Sequence, residues 1–213
     1  MVQAPVKPEI APEAPDEESA FGLVVLHFPS ECLTDELLLQ ISELNDNLRF
    51  ERNAEGALEI SPPAGYESSG SSGRIQAQML AWSDNEGGGQ VFESSAGMSL
   101  ADGSVLAPDA SWVSDERFAQ GSSERGGFLR SCPDLVVEVR SRSQSPRKQR
   151  EKMEQWMAAG ARLGWLIDPY TNEGVAWIYR AGVSEPERLE RPETLSGEDV
   201  AEGLNVDLTR IWR

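Results

Sequence analysis

The sequence predicts a mixed α/β fold, in which a β-sheet is flanked by helices. From about residue 90 onward the apolar patterns predict a run of strands, then one helix, then two further strands. The segment 135–139 is apolar and mostly β-branched except for one acid, a composition typical of a central strand buried on both faces. Strands interrupted by one long helical pattern favour a mixed sheet with helices packed on its faces.

Residues 1–20 are predicted to form a disordered acidic tail, and residues 21–213 a single domain. The tail carries five acids, one lysine and few large apolar side chains, so it cannot bury enough surface to offset the entropy of ordering. The whole chain has 213 residues, a length that suits one domain with a sizeable core. Because no long apolar run and no secretory signal pattern is present, we expect a cytoplasmic protein without a membrane segment.

Four elements are predicted before residue 90. Thr34 has the side chain of an N-cap, and the apolar spacing after it predicts a helix over 34–45. Two short extended runs over 48–60 predict a hairpin. The segment 61–73 is rich in Ser, Gly and Pro and is predicted to be an exposed loop, and 75–87 is predicted to be a helix that ends at a run of glycines.

The segment after residue 90 is predicted to supply the sheet. Ser145 and Pro146 provide an N-cap and a first-turn proline for a helix that ends at Gly160. The predicted strands are 90–93, 97–100, 110–113, 135–139, 163–167 and 175–179.

Glu138 lies inside an apolar strand and therefore needs a partner. An ionised carboxylate in such a strand is costly unless it is paired with a cation or bound to a metal. The simplest partner is Arg140, two residues along and on the same face, and a bound cation is the alternative. Asp109 stands where a loop enters the predicted strand 110–113. The sequence leaves both explanations of Glu138 open.

Two further aspartates lie beside predicted strands. Asp134 precedes the strand of Glu138 and follows a proline, and Asp168 ends the strand 163–167 before another proline. Aspartate in such positions commonly accepts hydrogen bonds from its own turn. Both are predicted to stabilise turns, with a supporting role for Asp134 at an acidic site as the alternative.

Lys152 lies in the second turn of the helix predicted after this strand. Met153 and Trp156 mark the buried stripe of that helix, and Lys152 lies at the edge of the stripe. From there its ammonium can reach the end of the sheet. A lysine at such an edge can also extend its charge to solvent, and the helical pattern alone allows both positions.

The net charge of −17 argues against avid, nonspecific binding to nucleic acid. The segment 140–152 is an exception, because it holds 6 of the 19 Lys and Arg residues and only one acid. This basic segment is either a solvated helix face with its preceding loop or a contact for phosphate groups.

Chemistry based on cysteine or histidine is not predicted. Cys32 and Cys132 match no metal-site spacing and are expected to be reduced, half-buried thiols. His27 lies in an apolar run and is expected to be packed. Triads that need histidine and His-rich zinc sites are therefore not expected.

Three segments, in order, resemble a known family of bacterial proteins. They are Pro108-Asp109-Ala-Ser-Trp-Val, then Cys132-Pro-Asp-Leu-Val-Val-Glu138-Val-Arg140-Ser, then Lys152-Met-x-x-Trp-x-x-Ala-Gly-Ala-Arg-Leu-Gly-Trp-Leu-Ile-Asp-Pro169. Each motif alone is weak, whereas their order and spacing together are fairly specific. From about residue 51 to residue 212 the chain resembles the bacterial "putative restriction endonucleases", a branch of the PD-(D/E)XK nuclease superfamily.

This resemblance implies a restriction-endonuclease-like core with a metal site. It implies that Asp109, Glu138 and the backbone carbonyl of Val139 bind Mg²⁺, or Mn²⁺ in its place, with Glu51 as a further carboxylate. Oxygen ligands completed by water are what such hard cations prefer. The implied function is a divalent-metal-dependent endonuclease that hydrolyses DNA, with DNA and a second copy of the chain as partners and no membrane partner.

The resemblance also implies two basic catalytic residues. In many relatives the lysine has moved from the strand motif to the following helix, where Lys152 stands, and Arg140 occupies the older lysine position. Lys152 would orient or help to deprotonate a water, or stabilise the charge that grows on a phosphoryl oxygen.

A catalytically inactive module that keeps the nuclease fold for binding or regulation is the main alternative. Relatives commonly carry an acid shortly after the position of Ser141, whereas the segment 141–145 has none. This departure and the acidic net charge both favour the alternative.

A glycoside hydrolase is a third possibility, because such enzymes also use two carboxylates. Tryptophans could stack on a sugar in that case. Four of the six tryptophans instead belong to apolar periodic segments and are predicted to be core residues: Trp82, Trp112, Trp156 and Trp165. This pattern makes the carbohydrate hypothesis the weakest of the three.

Overall fold

The computed structural model describes residues 23–29, 32–121 and 127–212. In this part the chain forms four α-helices and thirteen strands, which make two larger sheets and one small hairpin. The tail predicted over 1–20 lies outside the described residues. The predicted mixed α/β fold is confirmed.

The elements follow one another in this order: β1 (Val24–Leu26), α1 (Asp35–Leu44), β2 (Arg49–Arg52), β3 (Leu58–Ser61), α2 (Tyr66–Trp82), a π-helical turn (Ser83–Gly87), β4 (Gln90–Glu93), β5 (Met98–Ser99), β6 (Val105–Leu106), β7 (Ala110–Val113), α3 (Asp115–Gly121), β8 (Leu135–Val139), α4 (Pro146–Ala158), β9 (Leu163–Asp168), β10 (Val175–Arg180), β11 (Glu187–Glu190), β12 (Thr194–Ser196) and β13 (Asn205–Asp207).

The larger sheet has six strands in the order β11-β10-β9-β8-β7-β4. Its β8 and β9 run parallel, because α4 connects them as a crossover, and its other neighbouring strands run antiparallel. The central strands β8 and β9 are buried along their whole length, as their apolar sequence predicts.

The second sheet has five antiparallel strands in the order β1-β3-β2-β6-β5. Its centre is the β2–β3 hairpin, which confirms the hairpin predicted over 48–60. Helix α1 packs against β2, and Thr34 caps it by accepting a hydrogen bond from the amide of Leu37 at 3.2 Å. Strand β2 of this sheet carries Arg49 and Glu51.

Alternation along β8 decides which way Glu138 points. Leu135, Val137 and Val139 belong to the core that α2 and the C-terminal segment cover, whereas Val136 belongs to the core beneath α4. Since successive side chains of a strand point to opposite faces, Glu138 shares the face of Val136. Glu138 therefore faces α4.

Helix α2 begins seven residues before the end of the loop predicted over 61–73, so that part of the prediction is wrong. The hydroxyl groups of Ser68, Ser71 and Ser72 donate to backbone carbonyls three or four residues earlier, at 3.0–3.1 Å. Ser68 and Ser71 are buried, and their small size suits a helix that lies against the sheet. Tertiary packing thus overrides the weak helix propensity of the segment.

Two smaller predictions about side chains, the packing of His27 and the half-burial of Cys32, also differ from the structure. His27 is exposed, because β1 is an edge strand that packs little of its surface. Cys32 and Cys132 are both free, as expected, but Cys32 is exposed and only Cys132 is half-buried. The four tryptophans predicted to be core residues are buried, as expected.

None of the helices in the described ranges is long and apolar enough to cross a bilayer.

The close approach of α4 to β9 depends on Gly164. A Cβ atom at this position would lie 2.6 Å from Sδ of Met153 and 3.3 Å from Sδ of Met157, both on α4. We expect Gly164→Ala to lower the free energy of unfolding by about 1–3 kcal/mol, because the methionines must shift to make room. Urea unfolding measures this change.

The matched control is Gly73→Ala, on the exposed side of α2, where an added Cβ meets nothing within 4 Å. It should stabilise the protein slightly, by about 0.5–1 kcal/mol, because alanine favours a helix interior over glycine. Equal stability of Gly164→Ala and the wild-type protein would show that α4 does not depend on this contact.

Candidate active site

Three carboxylates and two basic side chains meet where the two sheets adjoin α4. Glu51 and Arg49 come from β2, Asp109 from the residue before β7, Glu138 from β8, and Lys152 from α4. We call Glu51, Asp109 and Glu138 the carboxylate cluster. The structure therefore brings together Asp109, Glu138 and Lys152, which the sequence predicts, together with Glu51, which is predicted as a further carboxylate.

Strand pairing places Asp109 beside Glu138. Ala110 of β7 pairs with Val137 of β8, and continuing this antiparallel register by one residue sets Asp109 opposite Glu138. Residues directly opposite one another in an antiparallel pair have their side chains on the same face. The amide of Val139 donates to Oδ2 of Asp109 at 2.8 Å and so fixes the aspartate against the strand end.

The ammonium of Lys152 lies between two members of the carboxylate cluster. Its Nζ is 3.0 Å from Oε1 of Glu51 and 3.0 Å from Oε1 of Glu138, and it donates to the carbonyl of Ala107 at 3.0 Å. Three acceptors match the three donors of an ammonium. The side chain of Lys152 is only 15% exposed, so it does not extend to solvent.

A backbone amide and an indole N–H donate further hydrogen bonds to the two glutamates. The amide of Ala107 donates to Oε1 of Glu51 at 2.7 Å, and Nε1 of Trp156 donates to Oε1 of Glu138 at 2.9 Å. Glu138 is only 1% exposed. A buried carboxylate with these donors is held in one position.

Arg49 is a second cation at this site. Its Nη1 lies 3.5 Å from Oδ1 of Asp109, and its Nη2 donates to the carbonyl of Ser94 at 2.8 Å. Burial works to lower the pKa of Arg49, but the carboxylates of Asp109, Glu51 and Glu138 outweigh it and raise the pKa. Arg49 is therefore a permanent positive charge beside Asp109.

Glu138 has an unusual pKa because of its surroundings. Burial raises the pKa of Glu138 to about 7, Lys152 opposes the rise, and the charges of Asp109 and Glu51 add to it. When all groups are ionised, three carboxylates and two cations leave one net negative charge. The two cations therefore do not neutralise the three carboxylates of the site.

The predictions for Arg140, as the partner of Glu138, and for Asp168, as a turn residue, have different outcomes. Arg140 does not pair with Glu138, so that prediction is wrong. Its Nε lies 2.6 Å from Oδ2 of Asp168, because the chain leaves the strand after Val139 and the guanidinium points towards the end of β9. Oδ1 of Asp168 accepts the amide of Tyr170 at 2.9 Å, which is the turn contact predicted for it.

Asp134 lies at the opposite end of β8 from Glu138. It accepts the amide of Ser114 at 2.9 Å and forms ion pairs with Arg117 and Arg162 at 3.2 and 3.5 Å. These contacts give it a structural role, in agreement with the preferred prediction.

The donor set fits a hard cation held mainly by two carboxylates. No group of three or more His, Cys, Asp or Glu side chains in the described ranges is arranged to hold a metal by itself. Mg²⁺, however, is commonly bound by one or two carboxylates and several waters. Asp109 and Glu138 supply two such carboxylates on one face, and their net negative charge favours a cation. A ligand role for the carbonyl of Val139 stays a prediction.

Two side chains at this site, Arg49 and Trp156, are not predicted from the sequence. Arg49 lies at the open end of the β2–β3 hairpin, where no sequence pattern marks it. Trp156 is recognised as a core residue, but its hydrogen bond to Glu138 is not. Its place four residues after Lys152, on the same helix face, is the signal that could have indicated this contact.

The raised pKa of Glu138 predicts how stability depends on pH. The unfolded chain has the ordinary pKa near 4.5, whereas the folded pKa is about 7, so the folded state binds this proton more tightly. The resulting stabilisation is complete below pH 4.5 and is lost as the pH rises through about 7. We expect the free energy of unfolding of the metal-free protein to fall over this interval, and Glu138→Gln to reduce that fall. Urea unfolding at several pH values, with a chelator, measures both. The same pH slope in the variant and the wild-type protein would contradict the assignment.

Comparison with known proteins places this geometry in a family. A family model described as "Uma2: Putative restriction endonuclease" matches residues 35–209, which include every member of the carboxylate cluster and Lys152. No curated protein matches the chain. A crystal structure of "a putative nuclease belonging to DUF820" from Anabaena variabilis is similar in fold, with a TM-score of 0.62 and 20% sequence identity over 76% of this chain and 89% of that chain. The chain therefore belongs to the Uma2 family, and the predicted nuclease-like fold is confirmed.

Proposed function

We propose that this protein is a divalent-metal-dependent endonuclease that hydrolyses phosphodiester bonds of DNA. The observation that carries the proposal is the pair of carboxylates, Asp109 and Glu138, which face each other across β7 and β8 at a site with one net negative charge. Membership of a family described as restriction endonucleases supports the same function.

Asp109 and Glu138 are the proposed ligands of Mg²⁺ or Mn²⁺. When bound, such an ion lowers the pKa of a water and offsets the charge that grows on a phosphoryl oxygen. We propose that Glu51 is a further carboxylate at this site and that it also supports the lysine, because its Oε1 contacts the ammonium of Lys152 and accepts the amide of Ala107.

Lys152 is proposed to act through its charge. Burial works to lower its pKa, but the charges of Glu138 and Glu51 outweigh burial and raise the pKa, so the side chain stays protonated. A protonated ammonium cannot accept a proton, which argues against a role as a general base. Its charge can instead stabilise the negative charge of the transition state. For Arg140 we propose a structural role in place of the predicted catalytic one, because its guanidinium pairs with Asp168.

The basic segment is proposed to contact the DNA backbone. Arg142, Arg147 and Lys148 are exposed at the start of α4 and in the loop before it, close in sequence to Lys152. Contacts with phosphates position a duplex without reading its sequence. The net charge of −17 confines such contacts to this segment, and binding should weaken steeply with salt. A homodimer, which would allow both strands to be cut, is part of the same proposal.

A catalytically inactive binding module is the second candidate. It is favoured by the finding that no three metal-binding side chains of the described residues form a site by themselves, and by the ammonium of Lys152 in contact with Glu138. Titration with Mg²⁺ and Mn²⁺ separates the two functions, because an inactive module needs no metal affinity that depends on Glu138.

Glu138→Gln tests the metal ligand. We expect it to abolish Mg²⁺-dependent cleavage and to leave the protein folded, because the amide keeps the shape of the side chain and loses its charge. Cleavage of supercoiled, linear and single-stranded DNA with Mg²⁺ or Mn²⁺ is the measurement. Glu154→Gln, an exposed acid of α4, is the control and should cleave as the wild-type protein does. Wild-type activity in Glu138→Gln would rule out the proposed ligand.

Lys152→Arg tests the ammonium while it keeps the positive charge. A planar guanidinium cannot place three donors at one point as an ammonium does, so the charge stays but its position changes. We expect Mg²⁺ binding to persist and turnover to fall about 100-fold or more. Single-turnover cleavage and calorimetric Mg²⁺ titration measure the two effects. Unchanged turnover, or loss of metal binding alone, would show that Lys152 has another role.

A further inference from the structure

The indole of Trp156 and the ammonium of Lys152 both contact the same oxygen of Glu138. Nε1 of Trp156 lies 2.9 Å from Oε1, and Nζ of Lys152 lies 3.0 Å from it. The two donors are four residues apart on α4, so they project from the same face of the helix. The hydrogen bond from Trp156 reaches Oε1 and not Oε2. The two oxygens of Glu138 are therefore not equivalent.

The indole of Trp156 has little freedom to turn away. Trp156 is fully buried and belongs to the core beneath α4, together with Met153 and Val136. A buried N–H that loses its acceptor costs free energy, and so does a buried carboxylate that loses a donor. The contact between Trp156 and Glu138 thus fixes both side chains.

Lys152 cannot fix Glu138 in the same way. Its ammonium is shared with Glu51 and with the carbonyl of Ala107. In the proposed reaction it also faces the substrate. The indole of Trp156 has a single N–H, and in the described structure it donates that N–H to Glu138.

We propose that Trp156 is a positioning residue for Glu138. Its indole N–H holds Oε1 and leaves Oε2 as the oxygen that Glu138 offers to the cation. This inference rests on the proposed metal-dependent function. Residues that hold the ligands of a metal in place typically contribute about 10–100-fold in metal affinity or activity.

The chain offers a matched control in Trp165. It is as fully buried as Trp156, and its Nε1 has no hydrogen-bond partner within the described ranges. Trp156→Phe and Trp165→Phe therefore remove the same atoms from two buried positions. Only the first removes a hydrogen bond to Glu138.

The test is the Mg²⁺ affinity of the full-length chain, measured by calorimetry. We expect Trp156→Phe to weaken Mg²⁺ binding about 10–100-fold and Trp165→Phe to keep the wild-type affinity. Wild-type affinity in Trp156→Phe would overturn the proposal. An equal loss in both variants would also overturn it, because core packing would then explain the effect.

A second measurement needs no variant and remains decisive if Trp156→Phe does not fold. In the ¹⁵N–¹H spectrum of the assigned wild-type protein, Mg²⁺ should shift the indole resonance of Trp156 and move that of Trp165 much less. A Trp156 resonance that stays unmoved while calorimetry shows Mg²⁺ binding would overturn the positioning role alone. If the wild-type protein binds no Mg²⁺, the proposed function is overturned together with this inference.

Discussion

The ammonium of Lys152 is the charge on which the arrangement of the site depends. It contacts Glu51 from the five-stranded sheet and Glu138 from the six-stranded sheet, and it is itself carried by α4. Removing one partner of a buried ion pair typically costs about 3–5 kcal/mol, because the remaining charge is left without compensation. The carboxylate cluster can therefore be stable only when both sheets and α4 have docked.

Much of the fold follows from the sequence, because β8, α4 and β9 are long and strongly patterned. Their apolar runs and the capping residues of α4 are local signals, and the structure agrees with them to within about two residues. The first half of α2 carries no such signal, since its serines and glycines suit a loop, and only packing against the sheet makes it helical. The short strands β11, β12 and β13 and the helix α3 were not predicted for the same reason. Strand β11 pairs with β10 and β12 pairs with β13, so these short polar strands depend on their partners and not on a pattern of their own.

The sequence predicts which residues form the carboxylate cluster and its lysine, but it does not predict the contacts between them. Asp109, Glu138 and Lys152 stand out through their order along the chain and the resemblance that this order carries. The hydrogen-bond and ion-pair partners of these three residues depend on how separate helices and strands pack together. The spacing of residues in the sequence does not predict that packing. Arg140 has the right spacing for Glu138, yet it binds elsewhere because the strand ends before it. The contact of Trp156 with Glu138 depends on the position of α4 along β8, which the sequence pattern does not determine.

The central claim is that Asp109 and Glu138 together bind a divalent cation. Crystals of the wild-type protein soaked in Mn²⁺, with diffraction data collected at the manganese absorption edge, test it most directly. We expect one anomalous peak about 2.1 Å from a carboxylate oxygen of each residue, close to the distance usual for small oxygen-bound cations. Manganese bound only elsewhere on the protein, with the ammonium of Lys152 unmoved between Glu51 and Glu138, would contradict it.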